Sequence, residues 1–293
     1  DGHWPRGLCV LRRVSRAKDV HPVSGVLTSG RAAPSITFIS IIGDGKDFAD
    51  HLGASPLYQE RAASPHKWIL VRDTGGQPMA PFVTELRARA EREYKSELLL
   101  FAHPDVYLPA TFEAELQEHL RRLELLDPHW AMAGFFGVPM AWEPEPADWP
   151  WTRTRVVGRS RDMYGQYVMG ASNLTVAQCL DESALLFRSS HGSHPSPIFD
   201  PALPSSERLW LGGTSVLLEG LAEGRSSYVL GARLLHKIWN QDFSAIVEQR
   251  KRFTRKILNA EYASDYVAAM MYLSQLFLQS ERVLKERIYA YFW

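Results

Sequence analysis

The chain has 293 residues, 45% of them hydrophobic and 23% charged, enough to bury one large core. Lys plus Arg and Asp plus Glu are equal at 33 each, which excludes a global basic field of the kind that grips nucleic acid, so an anionic ligand has to be held locally. The two cysteines, Cys9 and Cys179, exclude a disulfide framework or a Cys-based metal centre, and a reducing cytoplasm is the expected compartment.

Residues 1–34 mix basic residues with Gly, Pro and Ser and show no sustained period, so a loosely ordered arm is expected there. They do not read as a secretory signal. No apolar run in the chain reaches the roughly 18 to 20 residues needed to span a bilayer, the longest being broken by charge or by Gly and Pro. Asn173-Leu174-Thr175 matches a glycosylation sequon, a pattern too common to carry weight by itself.

The organised part begins at Ser35. Residues 35–42 (SITFISII) are short, β-branched and nearly all apolar, the pattern of a strand buried on both faces, and they stop at Gly43-Asp44-Gly45. A helix is expected over 46–58. A second strand, Lys67 to Val71, exits into Arg72-Asp73-Thr74-Gly75-Gly76, a helix covers 81–94, and a third strand spans 97–102. Alternation of this kind implies right-handed crossovers and a doubly wound sheet, in which ligands sit beyond the carboxyl ends of the strands. Asp44, Asp73 and the His103-Pro104-Asp105 triplet all fall at that edge, which locates a cleft.

Thr111 to Leu126 has helical spacing, with Thr111 as its expected cap and Glu113 and Glu115 in the first turn. A central strand is expected over 130–137, then a Trp- and Pro-rich excursion over 139–170. Its Trp142, Trp149 and Trp151 suit either stacking on an acceptor sugar or pinning the loop to the core. Strand character returns over 174–187, a helix over 210–223 and a last strand over 227–235, closed by His236. From 242 onward an apolar stripe at three- and four-residue steps, Tyr262, Tyr266, Met270, Leu273 and Phe277, predicts helices that pack on the main domain or on a second copy, with membrane-surface docking as the minority reading. The expected organisation is an arm over 1–34, a ligand-binding domain over 35–241 and a helical extension over 242–293.

His103 and Asp105 lie two apart, and oxygen and imidazole donors at that spacing suit Mg²⁺ or Mn²⁺ completed by phosphate oxygens. The bland alternative is a histidine hydrogen-bonded at a strand end beside a turn-capping acid. His191 and His194 have the look of a metal clip but lie in a Ser- and Pro-rich loop where exposed histidines need no special role.

The ordered blocks LLLFAHPDVYLPATF, DPHWAMAGFFG, CLDESALLFRSS, IFD at 198–200 and LLH at 234–236 resemble the family-2-like glycosyltransferases of the type first named for a streptomycin-biosynthesis protein. The resemblance spans about residues 35–250. It implies a GT-A-like α/β fold, with a doubly wound, mostly parallel central sheet, flanking helices and a C-terminal helical extension. It also implies metal-assisted, inverting transfer of a sugar from a UDP- or GDP-linked nucleotide-sugar donor to a glycan or small-molecule acceptor.

Carried over residue by residue, Asp105 is the metal- and diphosphate-facing acid, His103 replaces the first acid of the Asp-x-Asp signature, and His236 completes the shell of a Mn²⁺ or Mg²⁺ ion. Asp44 and Asp73 face the nucleotide. Asp181 matches an acid of the family pattern facing the sugar or acceptor, and with Glu182 it is the candidate catalytic carboxylate. The chain departs from the pattern at Leu209-Trp210-Leu211-Gly212-Gly213-Thr214-Ser215, where Ser215 replaces the acid expected to act as base. That substitution equally fits a module that binds a nucleotide or glycan without turnover. A nucleotidyltransferase is disfavoured, because Gly43-Asp44-Gly45-Lys46 is too short for a phosphate-cradling loop.

Overall fold

A computed structural model describes residues 34–73, 79–139, 157–158, 160–162, 174–181, 183–192, 194–196, 220 and 223–236, the backbone alone at 79–83, 138–139, 157–158, 160–162 and 178–179. The N-terminal arm, the Trp-rich excursion, Glu182, Ser215 and the helical stripe beyond 242 lie outside the described residues. The elements in chain order are β1 (Ile36–Ile42), α1 (Gly45–Asp50), α2 (Pro56–Gln59), β2 (Lys67–Arg72), α3 (Met79–Tyr94), β3 (Leu98–Ala102), β4 (Val106–Tyr107) and α4 (Phe112–Leu126). They are followed by β5 (Met132–Gly134), β6 (Phe136–Pro139), β7 (Val157–Gly158), β8 (Ser160–Asp162), β9 (Thr175–Leu180), β10 (Ala184–Arg188), β11 (Ser227–Val229) and β12 (Leu234–His236).

The described strands form a nine-stranded sheet in the order β2-β1-β3-β10-β5-β11-β9-β6-β7 and a three-stranded sheet in the order β4-β12-β8. In the large sheet β2, β1, β3, β5, β11 and β6 run one way, and β10, β9 and β7 run the other. This mixed α/β arrangement fits the expected GT-A-like class. The all-apolar sequence of β3 suits its interior place between β1 and β10, where all five residues are buried.

Alternation along the strands divides the core. Ile36, Phe38, Leu98, Leu100, Ala184 and Leu186 join Phe112, Leu116, Leu120 and Leu123 of α4 in one cluster. Thr37, Ile39, Leu99, Phe101, Leu185 and Phe187 remain for the opposite face, and α3 packs against β1 and β2. No described helix is long and apolar enough to cross a membrane.

Several expected boundaries change for physical reasons. The helix expected over 46–58 is broken into α1 and α2 by turns that bond Gly53 N–H to Phe48 O and Ser55 N–H to Leu52 O. The strand expected over 130–137 divides at Phe135, and the one over 174–187 divides at the Asp181–Ser183 turn, because β9 and β10 occupy different places in the sheet. The stretch 227–235 likewise separates into β11 in the large sheet and β12 in the small one. Thr111 does not cap α4: it has helical dihedrals and no side-chain capping bond, and its hydroxyl accepts from Arg233 Nη2 at 3.2 Å.

At the carboxyl end of α3, Glu91 accepts from Arg87 Nε at 3.0 Å and from Ser190 N and Oγ at 3.0 and 2.8 Å. Burial works to raise its pKa, but the Ser190 and Arg87 hydrogen bonds outweigh it and hold the carboxyl below its ordinary 4.5. The stabilisation from Glu91 is therefore complete above that pH and lost as the pH falls through the lowered folded value. Urea unfolding across the acid range is expected to show a shallower pH dependence for Glu91→Gln than for the wild type.

Candidate metal and donor site

The site is built at the carboxyl ends of the strands. β1, β2 and β3 are parallel and in register, so Asp44, Asp73 and the His103–Asp105 turn all leave the sheet at one edge. Directly after β3 the chain makes a tight turn, with Val106 N–H donating to His103 O at 3.3 Å. His103 N–H donates to Ser183 O at 2.8 Å, and Leu52 N–H donates to Pro104 O at 3.3 Å. His103 and Asp105 are thus brought together by a turn beyond the strand rather than by strand alternation.

Ser55 supports this turn from behind. Its fully buried hydroxyl donates to His51 O at 3.1 Å and accepts from Leu108 N at 2.9 Å, tying the start of α2 to the chain leaving β4. Ser55→Ala strands a buried backbone N–H and is expected to cost about 1 to 3 kcal/mol, read by urea denaturation. The sequence offered no sign of this role, since a serine ahead of Pro56 reads simply as a helix start.

His236, the last residue of β12, completes the group. Its Nε2 lies 3.5 Å from Asp105 Oδ1, while His103 Nδ1 lies 3.9 Å from the same oxygen, and the two rings are 5.9 Å apart between centroids at 66°. One donor atom from each residue falls within 4.8 Å of the other two. The side chains of His103, Asp105 and His236 are 21%, 13% and 8% exposed, sheltered yet reachable.

The electrostatics favour donors in their ligating forms. Burial works to raise the Asp105 pKa, but attraction and hydrogen bonding to His236, helped by His103 and a backbone N–H, hold the carboxyl well below the usual range. Burial, with repulsion from His236, holds the His103 imidazole below its ordinary value against the opposing pull of Asp105 and Asp181. An ionised acid beside a neutral imidazole is the state a cation requires.

The remaining expected residues divide. Asp181 is buried at the turn between β9 and β10, accepts from Ser183 Oγ at 2.5 Å and Ser183 N at 3.4 Å, and is near enough to His103 for their charges to interact. Asp44 caps α1 by accepting from Lys46 N at 2.8 Å. Asp73 is exposed and its N–H extends the β1–β2 pairing by donating to Ile42 O at 2.8 Å. The structure thus brings His103, Asp105 and His236 together with Asp181 close by, and leaves Asp44 and Asp73 further along the same edge.

His191 and His194 lie past the opposite end of β10. His191 Nε2 contacts Glu91 O at 2.7 Å, and the His194 ring lies 3.9 Å from that of His129. Each has its own partner among the described residues.

No protein-family model matches the sequence, and no curated protein matches it. Solved structures do show a likeness. A mannosyltransferase, PcManGT from Pyrobaculum calidifontis in complex with GDP-Man and Mn²⁺, aligns with a TM-score of 0.45 at 9% identity, over 84% of this chain and 70% of that one. S. aureus TarS 1-349 aligns with a TM-score of 0.38 at 11% identity, over 80% of this chain and 70% of that one. At identities this low, the chemistry has to be read from this chain's own residues.

Proposed function

We propose that the chain is a nucleotide-sugar-dependent glycosyltransferase, moving a sugar from a UDP- or GDP-linked donor to an acceptor hydroxyl with inversion. The observation that carries this reading is the meeting of His103, Asp105 and His236 at the carboxyl edge of the sheet, with donor atoms within 4.8 Å of one another. Donors about 2.1 Å from a common ion lie roughly 3 to 4.2 Å apart, so the 3.5 and 3.9 Å separations around Asp105 suit Mn²⁺ or Mg²⁺. A divalent cation at such a place supplies positive charge where a departing nucleoside diphosphate gains negative charge.

The chain's own groups do the rest. The ionised Asp105 and neutral His103 hold the donor end, and the tight turn after β3 fixes both against the sheet. Asp181, across the β3–β10 junction from His103, offers a carboxylate to take the proton of the attacking hydroxyl, with Glu182 beside it in sequence. Ser183 orients that carboxylate through two hydrogen bonds. Asp44 and Asp73, placed along the same edge, are assigned to the nucleotide, with the Asp44 side chain also capping α1.

A second reading, a nucleotide- or glycan-binding module without turnover, draws on Ser215 standing where the family pattern has its acid. The two part on one experiment. Melting is followed with Mn²⁺ plus UDP or GDP, and a panel of nucleotide sugars is then tested for hydrolysis and transfer. A metal-dependent melting shift with turnover supports the enzyme. The same shift with no turnover on any donor supports the binding module, and no shift with either nucleotide overturns both.

A further inference from the structure

We infer that Arg233 and Glu115 are a positioning pair for the proposed cation site, a clamp that sets where β12 begins and so where His236 meets Asp105. The inference rests on the metal reading of His103, Asp105 and His236 and adds to it. Arg233 is the residue from which the chain enters β12, three residues before His236. Its backbone N–H donates to Glu115 Oε2 at 2.9 Å, and its Nε and Nη2 donate to Glu115 Oε1 at 2.9 and 2.6 Å. Both oxygens of the carboxylate thus hold Arg233, main chain and side chain together. Thr111 joins them, accepting from Arg233 Nη2 at 3.2 Å in place of a capping bond to α4.

The pair ties together the two limbs that carry the donors. One limb runs from Asp105 through β4 into α4, where Glu115 lies in the first turn. The other runs from Arg233 through β12 to His236. Between them β12 and β4 share two register pairs, Leu235 with Tyr107 and His236 with Val106. β8, on the other side of β12, is itself a three-residue strand at the edge of the small sheet, so it follows β12 rather than anchoring it. Leu234, buried in the core, settles which face β12 turns inward, and its place along the strand direction is left to the entry. The rise is about 3.3 Å per residue, whereas a metal shell tolerates about 0.2 Å in a donor distance. Burial works to raise the Glu115 pKa, but the hydrogen bonds from Arg233 outweigh it and hold the carboxyl below its ordinary 4.5, so the clamp is charged at neutral pH. With Arg233 47% exposed, such a pair adds little to overall stability. It is better suited to fixing a position than to holding the fold.

The test is a Mn²⁺ titration without nucleotide, following the electron paramagnetic resonance signal of the free ion. Electron spin echo modulation from imidazole nitrogen is recorded on the bound ion at saturating metal. The full chain is used as wild type, Arg233→Met, Arg233→Lys, Glu115→Gln and Arg89→Met, the last breaking the comparably exposed Arg89–Glu93 pair of α3. Arg233→Met and Glu115→Gln are expected to bind Mn²⁺ about 10-fold more weakly and to lose the nitrogen modulation of one of two imidazoles, because the ring displaced is that of His236. Arg233→Lys, which keeps the charge and one donor, recovers part of both signals, and Arg89→Met titrates as wild type.

Weakened binding with the full nitrogen modulation of the wild type, or equal weakening in Arg89→Met, makes the pair a general support of the fold and overturns the inference. Wild-type affinity in both Arg233→Met and Glu115→Gln overturns it while leaving the three-residue site standing. Where Arg233→Met does not unfold cooperatively, Glu115→Gln and Arg233→Lys decide on the same two readouts. Absence of Mn²⁺ binding by the wild type removes the metal reading, and this inference with it.

Discussion

Asp105→Asn is expected to abolish the Mn²⁺-dependent rise in melting temperature with UDP or GDP and to lower glycosyl transfer about a thousandfold. Asp105 Oδ1 is the atom that both His103 and His236 approach, at 3.9 and 3.5 Å, so its charge is the centre of the group. An amide keeps the shape and one oxygen but loses the negative charge, and the several kcal/mol that a cation contributes to leaving-group stabilisation goes with it. About 4 kcal/mol corresponds to a thousandfold in rate.

The fold itself should survive. The turn is held by backbone bonds at His103, Val106 and Pro104, none of which needs the carboxylate. A lost metal response in a chain that still unfolds cooperatively is the signature sought, with the metal-free melting temperature lowered by loss of the carboxylate's attraction to His236. Retention of the nucleotide and metal shift in Asp105→Asn would sink the site as drawn.

The second large effect lies on the far edge of the sheet. Trp130 is fully buried, its Nε1 donates to Glu124 Oε1 at 2.9 Å, and the Arg188 guanidinium carbon sits 4.7 Å from the centroid of its ring. Arg188 Nη2 also donates to Glu124 Oε1 at 2.5 Å, and burial pushes the guanidinium pKa down even though Glu124 opposes the shift. Trp130→Ala leaves a cavity and removes the aromatic face from a cation whose side chain is only 3% exposed. The expected loss is about 3 to 5 kcal/mol by denaturant unfolding. Trp130→Phe keeps an aromatic face for Arg188, loses the indole N–H, and should cost about 1 kcal/mol. Equal, small losses in both variants would show that the ring does not support this corner.

The first half of this fold was legible because its signals are local. SITFISII, KWILV and LLLFA are continuous apolar runs with polar exits, and all three form strands whose carboxyl ends define the site edge. The His103–Asp105 pair was legible for the same reason, although a turn rather than a strand brings the two together. His236 was reached only through resemblance, and the structure places it against Asp105 across 131 residues of chain. What stayed hidden depends on distant pairing. Nothing in residues 174–187 tells that β9 and β10 take separate places, and Ser-Arg-Asp of β8 has no strand signature until β12 lies beside it. Ser55 and Ser183 were missed because a hydroxyl that positions a turn looks like any other serine.

The insertion of β10 between β3 and β5 bears on how the chain is made. β2, β1 and β3 can assemble as soon as Ala102 has emerged from the ribosome, but the partner of β3 begins only at Ala184. At about 5 to 20 residues per second, the intervening 81 residues take roughly 4 to 16 seconds. Throughout that interval Leu98 to Ala102 present an apolar open edge, the kind of template on which nascent chains join one another. The strand that ends in the candidate site is therefore also an edge that the growing polypeptide has to keep shielded, and its yield in the cell should depend on chaperone supply.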